Sequence, residues 1–253
     1  MILFHELNIG TAVSGGGVRP CPRCLRSAAT GQGTAVEPVR LQALIPRIEE
    51  LAGEDGIAEG TGKSLMLRGF EPFQHPDLVG IIHALAEANP RRIGMRTDAA
   101  ALANLRDAQG CIDNGVRVFE IPFLPREMDA LSQTAPLEAS FAGIRGIRSA
   151  SAALGVAVFV CADITVCAHT AKYFLSMVQA AIAAGVDAIR LSCDEPARLA
   201  ELLGGKTVLN QVHSLATQNS TAFFGDGCED YLGGASLYEV INETAGMAAG
   251  EKQ

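Results

Sequence analysis

Residues 156–193 read VAVFVCADITVCAHTAKYFLSMVQAAIAAGVDAIRLSC, and this stretch decides the fold class. Val156–Ala162 is a short apolar run, as expected of a buried strand. Ala171–Ala184 is a helix, and Ala188–Ser192 is a second apolar strand. Two strands joined by a helical crossover pair in parallel, with a right-handed connection. The same alternation extends outward to the N-terminus. Strands are expected at Ile2–Ile9, Ser64–Leu67, Arg92–Arg96 and Val116–Ile121. Helices are expected at Val39–Ala52, Asp77–Glu87, Ala99–Asp107 and Pro136–Leu154. The fold class is therefore α/β with parallel strands. Periodicity leaves two architectures open: a flat doubly wound sheet, or a curved partial (β/α)6 barrel. In both, function belongs at the C-terminal ends of the strands.

Residues 1–193 form the rhythmic core, and 194–253 break the rhythm as a C-terminal extension packed on it. Within the extension, Glu195–Leu203 reads as a helix and Val208–Val212 as a further strand. Asn219–Gly234 reads as loop, and Ser236–Thr244 as a short helix whose Ser236 and Glu239 form a capping box. The chain has 253 residues, 48% hydrophobic and 19% charged, enough for a sizeable core. A net charge of -8 argues against a nucleic-acid partner and for a small-molecule or protein partner; the expected substrate is a small molecule or a peptide. The most apolar stretch, Ala152–Ala162, is far shorter than the about 20 residues of a membrane helix, and the N-terminus lacks the features of a secretory signal. A cytoplasmic location with no membrane partner is expected. Seven cysteines then read as free, metal-bound or reactive thiols rather than disulfides.

Two loops carry candidate chemistry. Gly15–Cys24, GGGVRPCPRC, places Cys21 and Cys24 two residues apart, a spacing that serves one metal centre, a redox pair or two unligated thiols. Arg68–Leu78, RGFEPFQHPDL, has Gly69 where a ligand can approach the backbone, Glu71 placed to accept from an ammonium group, and Pro72 stiffening the turn, with Asp77 as a helix-start residue. Read without a ligand, the same loop is an ordinary strand-to-helix turn. Asp163 interrupts an apolar strand and needs a partner there, for which Arg190 is one choice. The sequence contains no G-x-S-x-G elbow, P-loop or H-E-x-x-H.

Together the two loops resemble the radical S-adenosylmethionine (SAM) superfamily. GFEPFQHPDL is similar to the family's GGEPLLHPDL, and Arg96-Thr97-Asp98-Ala99 stands where members often have Thr-Asn-Gly. PLEASFAGIRGIRSASAALGVAVFV resembles the family's fourth helix and following strand. Ile164-Thr165 resembles an Ile-Thr pair near the SAM ribose, and AAIAAGVDAIRLS the approach to the sixth strand. The resemblance spans about residues 2–193 and implies the partial barrel. It also implies a 4Fe–4S cluster on Cys21 and Cys24, with SAM bound along Gly69, Phe70, Glu71, Pro72, Thr97, Asp98, Asp163 and Thr165. The family motif is C-x3-C-x2-C, and here Gly17 replaces the first cysteine. A third ligand would come from Cys161, Cys167, Cys193, His5 or His169. The tail GDGCEDYLGGASLYEVIN resembles a shortened SPASM or twitch extension in which only Cys228 matches a cluster thiol. The implied function is radical chemistry on an unidentified substrate. The alternatives are a degenerate, non-catalytic binding or partner subunit lacking the cluster, and a zinc site on Cys21 and Cys24.

Overall fold

The computed structural model describes residues 4–14, 34–53, 64–69, 71–88, 90, 92–123, 135–166, 170–193 and 199–226. Seven strands form one parallel sheet: β1 (Phe4–Asn8), β4 (Ser64–Arg68), β5 (Arg92–Arg96), β6 (Val116–Phe123), β7 (Phe159–Val166), β8 (Ala188–Cys193) and β9 (Ala222–Asp226). Their spatial order is β1-β4-β5-β6-β7-β8-β9, so the order along the sheet is the order along the chain. A doubly wound sheet reverses direction at a switch point. Here no reversal occurs, and right-handed crossovers put every connecting helix on the same face. A sheet covered on one side curls to shelter the other, so the partial barrel is the architecture adopted. No helix among the described residues is long and apolar enough to cross a membrane.

The remaining two strands, β2 (Gly10–Ser14) and β3 (Thr34–Pro38), form a separate antiparallel hairpin paired from Gly10↔Pro38 to Ser14↔Thr34. The hairpin follows β1 directly and leads into helix α1 (Leu41–Gly53). It was not legible in the glycine- and proline-rich segment, and residues 15–33 between its strands, with Gly17, Cys21 and Cys24, lie outside the described residues.

The helices are α2 (Leu78–Glu87), α3 (Leu105–Asp113), α4 (Ala135–Leu154), α5 (Phe174–Ala184), α6 (Leu199–Leu202) and α7 (Lys206–Gln218). The longer helices carry apolar stripes that pack in the core against the sheet. On α5 the buried residues are Phe174, Met177, Val178, Ala181 and Ala184, at helical spacing. This helix ends where Gly185 turns left-handed (φ 92°) and Val186 N–H donates to Ala181 C=O at 3.4 Å, a Schellman closure. The stripes meet the sheet residues of the outward face, such as Leu65, Leu67, Met95, Phe119, Ile121, Val160, Ile164 and Leu191, in one core. Each such side chain contributes about 1.5–3 kcal/mol by leaving water.

Three expectations are corrected. Val208–Val212 lies inside helix α7, because Val208, Leu209 and Val212 share one helical face with Ala216. Ala222–Asp226, expected as loop, is strand β9 and pairs in parallel with β8. Ala99–Asp107 is not one helix: a 3-10 turn at Ala100–Ala103 stops at Asn104, whose Oδ1 accepts from Arg106 N–H and caps α3. The expected helix at Ser236–Thr244 lies outside the described residues.

Candidate functional site

The concave face of the sheet has two layers. Towards the N-terminal ends, Met66, Val118, Phe159, Cys161, Ala188 and Phe224 form a second, smaller apolar cluster. Above it the same-parity positions turn charged: Arg68 on β4, Arg96 on β5, Glu120 on β6, Asp163 on β7, and Arg190 with Ser192 on β8. Strand register sets these side by side, with Arg96 opposite Glu120 and Asp163 opposite Arg190.

The result is a continuous ionic network. Glu120 is fully buried and accepts from Arg68 Nη2 (2.6 Å), Arg190 Nη2 (2.6 Å) and Arg96 Nη1. Asp163, 2% exposed, accepts from Arg96 Nη1 (2.7 Å), Arg190 Nη2 (2.9 Å) and Ser192 Oγ (2.8 Å). Arg68 also reaches Glu6 on β1 at 2.7 Å. Burial pushes the Asp163 carboxyl up, but Arg190, Arg96 and the Ser192 hydroxyl outweigh it and hold the group at about 2. Arg190 is therefore a partner of Asp163, and Arg96 is a second one that the sequence did not reveal.

The GFEP loop sits at the C-terminal end of β4. Gly69 has φ +87°, and a Cβ there would lie 1.8 Å from Asn8 Oδ1. The glycine is thus required by the backbone turn and by the Asn8 side chain, which in turn accepts from Gly10 N–H at 3.0 Å. Glu71 caps the 3-10 turn Pro72–Gln74, with Pro72 buried at its first position. The Glu71 carboxylate also crosses to the end of β5. Oε1 accepts from Thr97 Oγ1 (2.6 Å) and Phe73 N–H (3.4 Å), and Oε2 from Asp98 N–H (2.9 Å). Burial raises the Glu71 pKa above the ordinary value, although the Thr97 hydroxyl and the Asp98 N–H oppose it. Asp77 begins α2 without capping it by its side chain; its Oδ2 faces Leu41 N–H at 3.4 Å, at the start of α1. His75 accepts from Asp77 N–H at Nδ1 (3.1 Å) and donates from Nε2 to Val39 C=O (2.9 Å), fastening this loop to the end of the hairpin.

Helix α4 backs the β5 loop. Ser140 Oγ donates to Asp98 C=O at 2.7 Å. Gly143 and Gly146 follow on the same face, where added Cβ atoms would lie 1.9 Å from Ala99 C=O and 2.0 Å from Leu102 C=O. The loop itself carries strain, since Ala99 is left-handed at φ 64° and fully buried.

Among the predicted residues, Gly69, Glu71, Pro72, Thr97 and Asp98 are brought together, and Thr97 N–H donates to Glu120 C=O (3.1 Å), joining them to the ionic network. Asp163 and Thr165 lie further along the same concave face, with Thr165 opposite Ser192. Phe70, Cys21, Cys24, Cys167, His169 and Cys228 lie outside the described residues. Of the other proposed third ligands, Cys193 packs in the helix-side core, and His5 shares that outward parity. Cys161 is fully buried in the apolar layer below the ionic network, and burial pushes its thiol well above the ordinary range. Among the described residues no group of three or more His, Cys, Asp or Glu side chains is arranged to hold a metal.

No protein-family model matches the chain, and no curated protein matches its sequence. Solved structures do match its fold. SuiB of Streptococcus suis, bound to precursor peptide SuiA, superposes with a TM-score of 0.55 at 12% identity, covering 94% of this chain and 51% of SuiB. The S-adenosylmethionine-bound form of SuiB gives 0.55 at 12%, covering 88% and 50%. The structure of anSMEcpe with AdoMet and the Kp18Cys peptide gives 0.57 at 13%, covering 87% and 63%. These likenesses establish the fold alone, the curved parallel sheet of a partial barrel. The chain spans about half to under two thirds of the length of these neighbours.

Proposed function

We propose that the chain is a radical SAM-like protein that binds S-adenosylmethionine over the C-terminal ends of β4 and β5. The observation that carries this reading is the GFEP loop, seated at the strand end and held to Thr97 and Asp98 by Glu71. A carboxylate offers about four acceptor positions. Three are taken by Thr97, Phe73 and Asp98, which leaves Oε2 of Glu71 able to accept once more, and an ammonium group fits that vacancy. Asp98 and Thr165 line the same face for the polar remainder of the ligand. The neighbours solved with S-adenosylmethionine and with peptides support a small-molecule or peptide substrate. A cytoplasmic setting, with no nucleic acid or membrane, accompanies this reading.

Cys21 and Cys24 would hold an iron–sulfur cluster. When bound, a 4Fe–4S cluster open at one iron supplies the electron that cleaves SAM to a hydrogen-abstracting radical. Two cysteines from one loop do not complete three ligands and Gly17 cannot ligate; among the described candidates Cys161 lies in the apolar layer below the ionic network and Cys193 faces the helix-side core. This donor set favours a second reading, in which the chain binds SAM or a related ligand as a non-catalytic or partner subunit.

Two measurements separate these readings. Calorimetry with S-adenosylmethionine on wild type and Glu71→Gln tests the ligand, and equal affinity in both proteins would refute the assigned role of Glu71. Anaerobic reconstitution with iron and sulfide, followed by EPR, tests the cluster. A reducible 4Fe–4S signal supports catalysis, whereas SAM binding without that signal supports the second reading.

A further inference from the structure

In the ionic network the guanidinium of Arg96 uses its donors only in part. Arg96 directs Nη1 at both buried carboxylates, Glu120 and Asp163. Among the described residues its Nε and Nη2 have no hydrogen-bond partner. The Arg96 side chain is 24% exposed, while those of Glu120 and Asp163 are 0% and 3% exposed. Arg96 thus stands at the wet edge of a dry network, at the C-terminal end of β5 and directly before the Thr97–Asp98 loop.

The geometry points to Arg96 as the receptor of a ligand carboxylate on the concave face of the barrel. Nε–H and the near Nη2–H of a guanidinium are parallel and match the two oxygens of a carboxylate. In Arg96 this fork is set in advance, because Nη1 is pinned between two buried acids, which lowers the ordering cost of binding. Arg68, Arg96 and Arg190 meet Glu120, Asp163 and, through Arg68, Glu6, so three arginines balance three carboxylates. A carboxylate on the open side of Arg96 adds one negative charge beside Glu120 and Asp163, whereas a phosphate, at nearly two, adds more. Arg68, whose Nε is buried without a partner among the described residues, already holds the Glu6 carboxylate through Nη1 and shows the layer's preferred anion. This inference needs no cluster and does not depend on the reading above.

The test uses the full chain as purified, at constant ionic strength, with succinate, neutral succinamide and inorganic phosphate as probes. Isothermal calorimetry should show saturable succinate binding that succinamide lacks and that phosphate does not exceed. Arg96→Gln should weaken succinate at least tenfold, and Arg96→Lys, which keeps the charge but loses the fork, should also weaken it. Because Arg96→Gln disturbs the buried acids and can impair folding, side-chain NMR of 15N-arginine wild type provides a second reading. The Arg96 Nε resonance should move on titration with succinate. No saturable succinate binding, equal binding of succinamide, tighter binding of phosphate, or an unmoved Arg96 Nε signal would each overturn the assignment. Competition by S-adenosylmethionine but not by its decarboxylated analogue would support the site and identify the methionine carboxylate as its occupant. Competition by neither, with succinate still bound, would support it with a separate acid as the occupant.

Discussion

Replacing Asp163 by Asn removes one charge and leaves the shape of the side chain nearly unchanged, so it isolates the electrostatic contribution of the ionic layer. The Asp163 carboxyl moves from 3.8 to about 2 on folding, because Arg190, Arg96 and Ser192 more than offset its burial. That displacement corresponds to about 2 kcal/mol of stability at neutral pH. Breaking a buried ion pair from one side costs about 3–5 kcal/mol, a second measure of the same interaction taken from the arginines left behind. Glu120 still answers both Arg96 and Arg190, so the lower part of the combined range applies, about 2–4 kcal/mol. The sign follows from the lowered pKa. The contribution is fully present above 3.8 and disappears as pH falls through about 2. Urea unfolding of wild type and Asp163→Asn should therefore differ by about 2–4 kcal/mol at pH 7 and progressively less between pH 4 and pH 2. A difference below about 1 kcal/mol at pH 7, or one that stays constant down to pH 2.5, would refute the reasoning.

Gly143→Ala should destabilise the fold by about 1–3 kcal/mol in thermal or urea unfolding, because its Cβ would meet backbone Ala99 C=O at 1.9 Å. Gly110→Ala in α3 meets nothing within 4 Å and should instead stabilise by about 0.5–1 kcal/mol. Iodoacetamide at pH 8, followed by peptide mapping, should leave Cys111, Cys161 and Cys193 unlabelled until denaturant is added. All three are buried, and burial with Asp107 nearby pushes Cys111 up to about 12. Labelling of Cys161 in the native protein would mean that the ionic layer opens to solvent.

The strands were legible because the helix-side parity is apolar at nearly every position, His5 on β1 being an exception. Arg92–Arg96 is read to the residue, and β4 and β8 to within one residue. The error in β7 is informative. The apolar run ends at Ala162, yet the strand continues through Asp163 and Thr165 to Val166. Polar residues entered at concave positions, where the partners that make their burial tolerable come from neighbouring strands and cannot be seen along one segment. Asp163 hinted at this, and Glu120, the centre of the network, gave the same signal: an acid inside Val116–Phe123, otherwise buried and largely apolar. Read jointly, the charged residues near the ends of β4 to β8 outline the layer, but only once the strand order is known. Glu71 was legible as a site residue by position, whereas its bonds to Thr97 and Asp98 depend on register between β4 and β5.

The β2–β3 hairpin has a consequence for engineering. Five cross-strand pairs close the base of residues 15–33 outside the parallel sheet, while β1 pairs with β4 on its own account. Closure entropy grows only slowly with loop length, so Ser14 and Thr34, the last pair of that register, are the two points at which the intervening sequence can be exchanged. A short reverse turn grafted onto Ser14 and Thr34 would remove both thiols while keeping the barrel, its ionic layer and the GFEP loop, and a three-cysteine loop could be installed through the same two points.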